Sequence, residues 1–101
     1  LYTIGRPELF AKPCVAVVGA RRCSRSGASH AHRLAREIAA LGMVVVSGLA
    51  LGIDGSAHRG ALETGLTAAV LGAGLARIYP RTHQRLAQDI VEGGGVLMSE
   101  Y

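Results

Sequence analysis

Aromatic residues are scarce in this chain, which has one Phe, three Tyr and no Trp among 101 residues. Half of the residues are hydrophobic, so Val, Leu, Ile and Ala must supply the core. An aliphatic composition of this kind is typical of buried parallel sheets covered by helices. The length allows a single domain, residues 1–101.

Cysteine is also rare, and Cys14 and Cys23 lack the CxxC spacing of redox or zinc sites. No segment has the length and apolar purity of a membrane span, and no signal peptide opens the chain. These absences predict free thiols, a reducing cytoplasmic location and no membrane partner. The four His residues do not form ligand pairs with finger-like spacing, so we predict neither a metal nor a cofactor.

Lysine is represented by Lys12 alone, whereas Arg occurs ten times and the formal net charge is +4. Arg forms bidentate contacts with phosphate and stacks on planar groups. The charge therefore favours an anionic or nucleic-acid partner. A GC-rich genome would also favour Arg codons over Lys codons, but it does not account for the net charge.

Common nucleotide-binding and catalytic motifs are absent. The chain has no GxxxxGK[ST] loop, and the glycines at 72 and 74 are not completed by a third at Arg77. A nucleophile elbow is excluded because Val45 lies two residues before Ser47. We therefore predict that the protein is not an enzyme.

Asp54 and His58 are one helical turn apart and could share a hydrogen bond. Catalysis by such a pair would need a Ser or Cys nucleophile beside it. The sequence places none there, so we interpret both residues as structural.

Hydrophobic periodicity divides the chain into alternating strands and helices. We predict strands over 13–19, 43–47, 67–71 and 96–99, helices over 27–41, 54–63 and 83–92, and an irregular lead-in over 1–12. The order predicts an α/β fold with a doubly wound, mainly parallel, Rossmann-like sheet of about four strands and three helices. Gly60 indicates close packing of the second helix, because Gly inside a helix costs about 1 kcal/mol relative to Ala.

The stretch 44–54 is the most informative part of the chain. Three consecutive Val residues form a buried strand, two glycines four apart follow, and a helix opens with Asp54 as the predicted N-cap. Backbone N–H groups converge at such a helix N-terminus and favour anions. A ligand-free connecting turn is the alternative.

Three strand ends carry glycine-rich segments, at residues 19–22, 47–52 and 72–74. Ligands of open α/β sheets bind at the carboxyl ends of the strands, so these segments should open on one edge. Tyr79 follows the third segment and could either stack on a base or pack against the third helix.

Six ordered blocks of the sequence read VAVVGAR at 15–21, VSGLALGID at 46–54, AHRGAL at 57–62, VLGAGL at 70–75, IYP at 78–80 and SEY at 99–101. Together these blocks resemble the DprA/Smf family of bacterial DNA-processing proteins. The resemblance implies an extended Rossmann-like domain that binds single-stranded DNA and helps to load the RecA recombinase in natural transformation. It also implies that the chain is the N-terminal portion of that domain, because the family's later Arg-Asn-Arg and Ser-Gly-Ser segments are missing here, and a homodimer is expected of the full-length protein.

The resemblance and the glycine segments together give the predicted DNA phosphate-binding residues. They are Gly19, Ala20, Arg21, Arg22, Ser47, Gly48, Leu49, Ala50, Gly52, Asp54, Gly72, Gly74 and Tyr79. Arg21 matches the family's phosphate-contacting arginine after the first parallel strand. Two departures weaken other contacts: Leu51 replaces a frequent Arg, and His83 replaces a frequent Asn.

The alternative function is a nucleotide-binding phosphoribohydrolase of the related lysine-decarboxylase-like family. Those enzymes carry a Pro-Gly-Gly-x-Gly-Thr motif with a catalytic Glu. The glycines at 93–95 follow Glu92 instead of Pro and precede Val96 instead of Thr. The sequence therefore favours the DNA-binding interpretation.

Overall fold

The computed structural model describes residues 2–19, 24–49, 52–71 and 81–99. Five strands are present in this part of the chain: β1 (Tyr2–Gly5), β2 (Cys14–Ala16), β3 (Val44–Ser47), β4 (Thr67–Leu71) and β5 (Val96–Ser99). Three α-helices connect the later strands: α1 (Arg25–Ala40), α2 (Ile53–Thr64) and α3 (Arg81–Glu92). A short 3-10 helix spans Pro7–Ala11. The predicted α/β class and the three helices are confirmed.

The five strands form one sheet in the order β1-β5-β4-β3-β2. Strands β2 to β5 are parallel, as predicted, and β1 pairs antiparallel with β5. The prediction of an irregular lead-in was wrong for β1. Its four residues end at a glycine and carry no clear alternation, so β5 and not local periodicity fixes this strand.

All three α-helices in the described ranges pack on the same face of the sheet. Val45 lies opposite Thr67, and Ala69 lies opposite Leu97, so these residues share that face. Helices α1 and α2 pack against Val45, and α3 packs against Ala69 and Leu97. The predicted mainly parallel, Rossmann-like sheet is confirmed, and in the described ranges its three helices share one face. Each right-handed crossover steps in one direction along the sheet, which places every helix on one side.

Among the described residues, the opposite face of the sheet is covered by the 3-10 helix near the amino ends of β3, β4 and β5. Leu9 of the 3-10 helix is fully buried there against Val44, Ala68 and Val96. Towards the other end of the strands, Val70 is 46% exposed. None of the helices in the described ranges is long and apolar enough to cross a membrane.

Two helix starts differ from the sequence prediction. Helix α1 begins at Arg25, two residues early, because the Ser24 side chain accepts a hydrogen bond from the Gly27 N–H and acts as N-cap. Helix α2 begins at Ile53 with Gly52 as N-cap and no side-chain capping bond. The prediction of Asp54 as N-cap was wrong, since its carboxylate accepts hydrogen bonds from the Gly19 and Gly48 N–H groups instead.

Candidate nucleic-acid interface

The parallel strands β2 to β5 end at one edge of the sheet, which we call the carboxyl edge. Of the predicted phosphate-binding residues, the structure describes Gly19, Ser47, Gly48, Leu49, Gly52 and Asp54, and it places them together at this edge. The others, Ala20, Arg21, Arg22, Ala50, Gly72, Gly74 and Tyr79, lie outside the described residues.

Asp54 holds the segment after β2 against the segment after β3. Its side chain is buried, and Oδ1 accepts a hydrogen bond from the Gly19 N–H at 3.2 Å. Oδ2 accepts one from the Gly48 N–H at 2.9 Å. Backbone donors to a carboxylate satisfy a buried charge that would otherwise be costly.

The two glycines are required by this close approach. A Cβ added at Gly48 would lie 3.0 Å from Asp54 Oδ2, and one at Gly19 would lie 2.8 Å from the Ile53 side chain. Both distances are shorter than ordinary contacts, so a larger residue would push the two segments apart. The glycines seen in the sequence therefore serve contact between loops as well as any contact with a ligand.

Ser47 provides a second link between the same strand ends. Its hydroxyl donates to the Val17 carbonyl at 2.5 Å, and its side chain is buried. The Val17 N–H donates to the Val46 carbonyl at 2.9 Å, which continues the ladder beyond the last residue of β2. The Ser47 hydroxyl hydrogen is therefore committed within the protein.

Leu49 adopts a left-handed backbone conformation, with φ of 61°. This conformation costs a residue with a Cβ roughly 1 kcal/mol, so surrounding contacts must hold it. The Leu49 side chain is buried against Leu86, Ala87 and Ile90, and its N–H donates to His58 Nε2 at 3.3 Å.

His58 is fully buried and connects this turn to the sheet. Its Nδ1 lies 2.7 Å from the Thr67 hydroxyl, which itself donates to the Val45 carbonyl at 2.7 Å. Sequence analysis gave a structural role to His58, and these contacts support it. The spacing from Asp54 could not reveal Thr67 as a partner, because Thr67 lies on the next strand.

Direct phosphate contact was predicted for Ser47, Leu49 and Asp54, and the structure gives all three another use. The Asp54 carboxylate would repel a phosphate and already accepts two N–H groups. The Ser47 hydroxyl and the Leu49 N–H donate inside the protein. These bonds give the three residues a structural role at the edge, and their direct contact with phosphate stays a prediction.

The N-termini of α1 and α2 lie at the carboxyl edge, because α1 follows β2 and α2 follows β3. A helix N-terminus carries partial positive charge, and its first N–H groups lack partners within the helix. Arg25 is exposed in the first turn of α1. The edge is therefore favourable for an anion. Within the described residues, no group of three or more His, Cys, Asp or Glu side chains could hold a metal ion.

Comparison with known proteins identifies one family along the whole chain, the family that the sequence blocks resemble. The profile of the family DNA recombination-mediator protein A matches residues 1–101. Protein Smf of Escherichia coli is 47% identical over 88 residues, which are 86% of this chain and 24% of that protein. DNA processing protein DprA of Streptococcus pneumoniae is 42% identical over 102 residues, which cover 100% of this chain and 36% of that protein.

Two solved structures share the fold. DNA processing protein A from Helicobacter pylori, described for its single-stranded DNA binding mode, superposes with a TM-score of 0.87 at 38% identity, over 99% of this chain and 46% of that chain. DprA from Streptococcus pneumoniae gives a TM-score of 0.84 at 42% identity, over 98% of this chain and 35% of that chain. This chain thus spans less than half of each relative. It belongs to the DNA recombination-mediator protein A family, also known as DprA or Smf.

Proposed function

We propose that this domain binds the sugar–phosphate backbone of single-stranded DNA at the carboxyl edge. The observation that carries the proposal is the Asp54 carboxylate, which holds the segments leading into α1 and α2 together so that both helix N-termini lie at one edge. The single-stranded DNA binding described for the Helicobacter pylori relative supports the same choice of ligand.

The proposed contacts come from the predicted residues that are not committed to Asp54 and its neighbours. Arg21 and Arg22 follow β2 in the sequence, and Ala50 and Gly52 precede α2. The backbone N–H groups of these four residues and the two guanidinium groups can donate hydrogen bonds to phosphate oxygens. Gly72, Gly74 and Tyr79 complete the set on sequence grounds.

A labelled oligo-dT titration at two salt concentrations tests the binding proposal. We expect affinity to fall with salt, with a log–log slope of about 0.7 per phosphate contact. Unlabelled single strands should compete better than duplex DNA. A mononucleotide that competes as well as the oligonucleotide would instead support the phosphoribohydrolase-like alternative.

We propose that the domain is not an enzyme. In the described residues, the Asp54 carboxylate is held by two N–H groups and both ring nitrogens of His58 are engaged, so neither is free to act as a base or nucleophile. Incubation with nucleoside monophosphates should release no free base. Base release that Asp54→Asn abolishes would contradict this.

The resemblance to the family supports two further proposals about partners. We propose that the protein delivers bound single strands to the RecA recombinase, and that the full-length protein forms a homodimer. RecA filament formation on an oligonucleotide coated with single-strand binding protein should be faster when the full-length protein is added. An unchanged rate would overturn the RecA proposal while leaving DNA binding intact.

We also propose that residues 1–101 are the first part of a larger extended Rossmann domain. Among the described residues, one sheet face is partly uncovered, β2 is an edge strand, and Val18 just after β2 is 70% exposed. The solved relatives contain more than twice the residues matched here, as the coverage of 46% and 35% shows. Additional strands and helices of the full-length protein would cover these surfaces.

A further inference from the structure

The buried contacts of His58 determine which of its ring nitrogens carries a proton. The Thr67 hydroxyl has one hydrogen and donates it to the Val45 carbonyl, so it must accept from His58 Nδ1. The Leu49 N–H can only donate, so His58 Nε2 must accept from it. Both contacts require the same neutral ring, protonated at Nδ1 alone.

This tautomer connects the interior of the sheet to the glycine turn. Three hydrogen bonds follow one another. The Leu49 N–H donates to His58 Nε2, His58 Nδ1 donates to the Thr67 hydroxyl, and this hydroxyl donates to the Val45 carbonyl of β3. Leu49 is the residue with the left-handed backbone, and it directly follows Gly48, which Asp54 holds. The direction in which the chain leaves this turn towards α2 therefore depends on the acceptor at Nε2.

We propose that His58 is a positioning residue for DNA binding. Its Nε2 lone pair, oriented by Thr67, holds Leu49 in the left-handed conformation, and this fixes the end of β3 beside the N-terminus of α2, where the phosphate would bind. His58 does not touch the DNA in this account. The inference rests on the proposed function, because it names the buried group that shapes the proposed phosphate site.

Two amide variants separate the halves of the histidine ring. In His58→Gln, the side-chain oxygen lies as many bonds from Cβ as Nε2 does, so it can accept from Leu49 while the contact to Thr67 is lost. In His58→Asn, the amide nitrogen corresponds to Nδ1, so it can donate to Thr67 while Leu49 loses its acceptor. Each variant thus removes one of the two hydrogen bonds of the same buried side chain, the bond to Thr67 in His58→Gln and the bond from Leu49 in His58→Asn.

We expect both variants to have lower melting temperatures and only one to lose affinity. His58→Asn should bind labelled oligo-dT about tenfold more weakly than the wild type, whereas His58→Gln should stay within about threefold. Equal losses in the two variants, or a larger loss in His58→Gln, would overturn the inference. Wild-type protein that does not bind oligo-dT would instead overturn the proposed function.

A second pair of variants, at Thr67, tests the same inference if neither His58 variant folds. Thr67→Val replaces the hydroxyl with a methyl group of similar shape in a strand, and Thr67→Ser retains the hydroxyl. We expect Thr67→Val to weaken oligo-dT binding severalfold and Thr67→Ser to bind like the wild type. Wild-type affinity in Thr67→Val would overturn the inference, as would ring-nitrogen NMR shifts of the wild type that place the proton on Nε2.

Discussion

At the scale of single residues, Asp54 accounts for more of the candidate site than any other described side chain. One carboxylate joins the ends of two strands through Gly19 and Gly48, and the glycines allow the approach. Glycine-rich segments at strand ends suit ligand contacts, because glycine admits a phosphate to the backbone. Here two of the glycine N–H groups are occupied by the protein's own carboxylate.

Asp54→Asn should destabilise the protein. The amide keeps one acceptor but sets its NH2 group against a backbone N–H, so one buried hydrogen bond is lost and a donor is left unsatisfied. We expect a decrease of about 2 kcal/mol in the free energy of unfolding, measured by urea denaturation. Glu37→Gln, an exposed change on α1, is the control and should stay within about 0.5 kcal/mol. Equal stability of Asp54→Asn and the control would contradict the role of Asp54.

At the scale of secondary-structure elements, helices α1 and α2 pack with unusually close backbones. A Cβ added at Gly60 of α2 would lie only 2.0 Å from the His32 carbonyl oxygen of α1. Small residues line the contact, with Ala31, Ala35 and Ala39 buried on α1. The sequence prediction that Gly60 marks close packing is therefore confirmed.

Gly60→Ala should destabilise the protein even though Ala is the better helix former. The added methyl group forces the helices apart, and overpacking of this kind costs about 1–3 kcal/mol, more than the roughly 1 kcal/mol gained in helix propensity. Thermal unfolding should show a lower midpoint. Arg59→Ala, at the neighbouring exposed position of α2, should leave the midpoint nearly unchanged. A raised midpoint in Gly60→Ala would show that the helix contact is not tight.

The elements differ in how far the sequence could predict them. Apolar runs gave β3, β4 and β5 closely, because their side chains are buried by the helices regardless of distant partners. The strand β1 was missed because its pairing with β5 depends on the tertiary fold. At the site, the spacing of glycines predicted the turn. The bonds of His58 and Ser47 could not be predicted, since Thr67 and Val17 lie on other segments of the chain.

At the scale of the whole molecule, exposed apolar surface and an open edge predict modest stability. A domain of this size buries only about two-thirds of its unfolded surface, and Val18 and Val70 remain substantially exposed on the sheet. We expect thermal melting, monitored by circular dichroism, to show a broad transition with a low midpoint. A sharp two-state transition above about 65 °C would contradict the proposal that these residues form part of a larger domain.

The salt dependence of single-stranded DNA binding by Arg21→Ala tests the central claim most directly. Arg21 comes two residues after Gly19, whose N–H is held by Asp54 at the carboxyl edge. Arg36→Ala on the exposed side of α1 is the matched control with the same change in charge.

We predict that Arg21→Ala lowers the log–log salt slope by about 0.7, weakens binding of all oligonucleotide sequences alike and leaves the melting temperature unchanged. Arg36→Ala should retain the wild-type slope. A lower melting temperature with an unchanged slope in Arg21→Ala, or equal slopes in the two variants, would contradict a phosphate site at this edge.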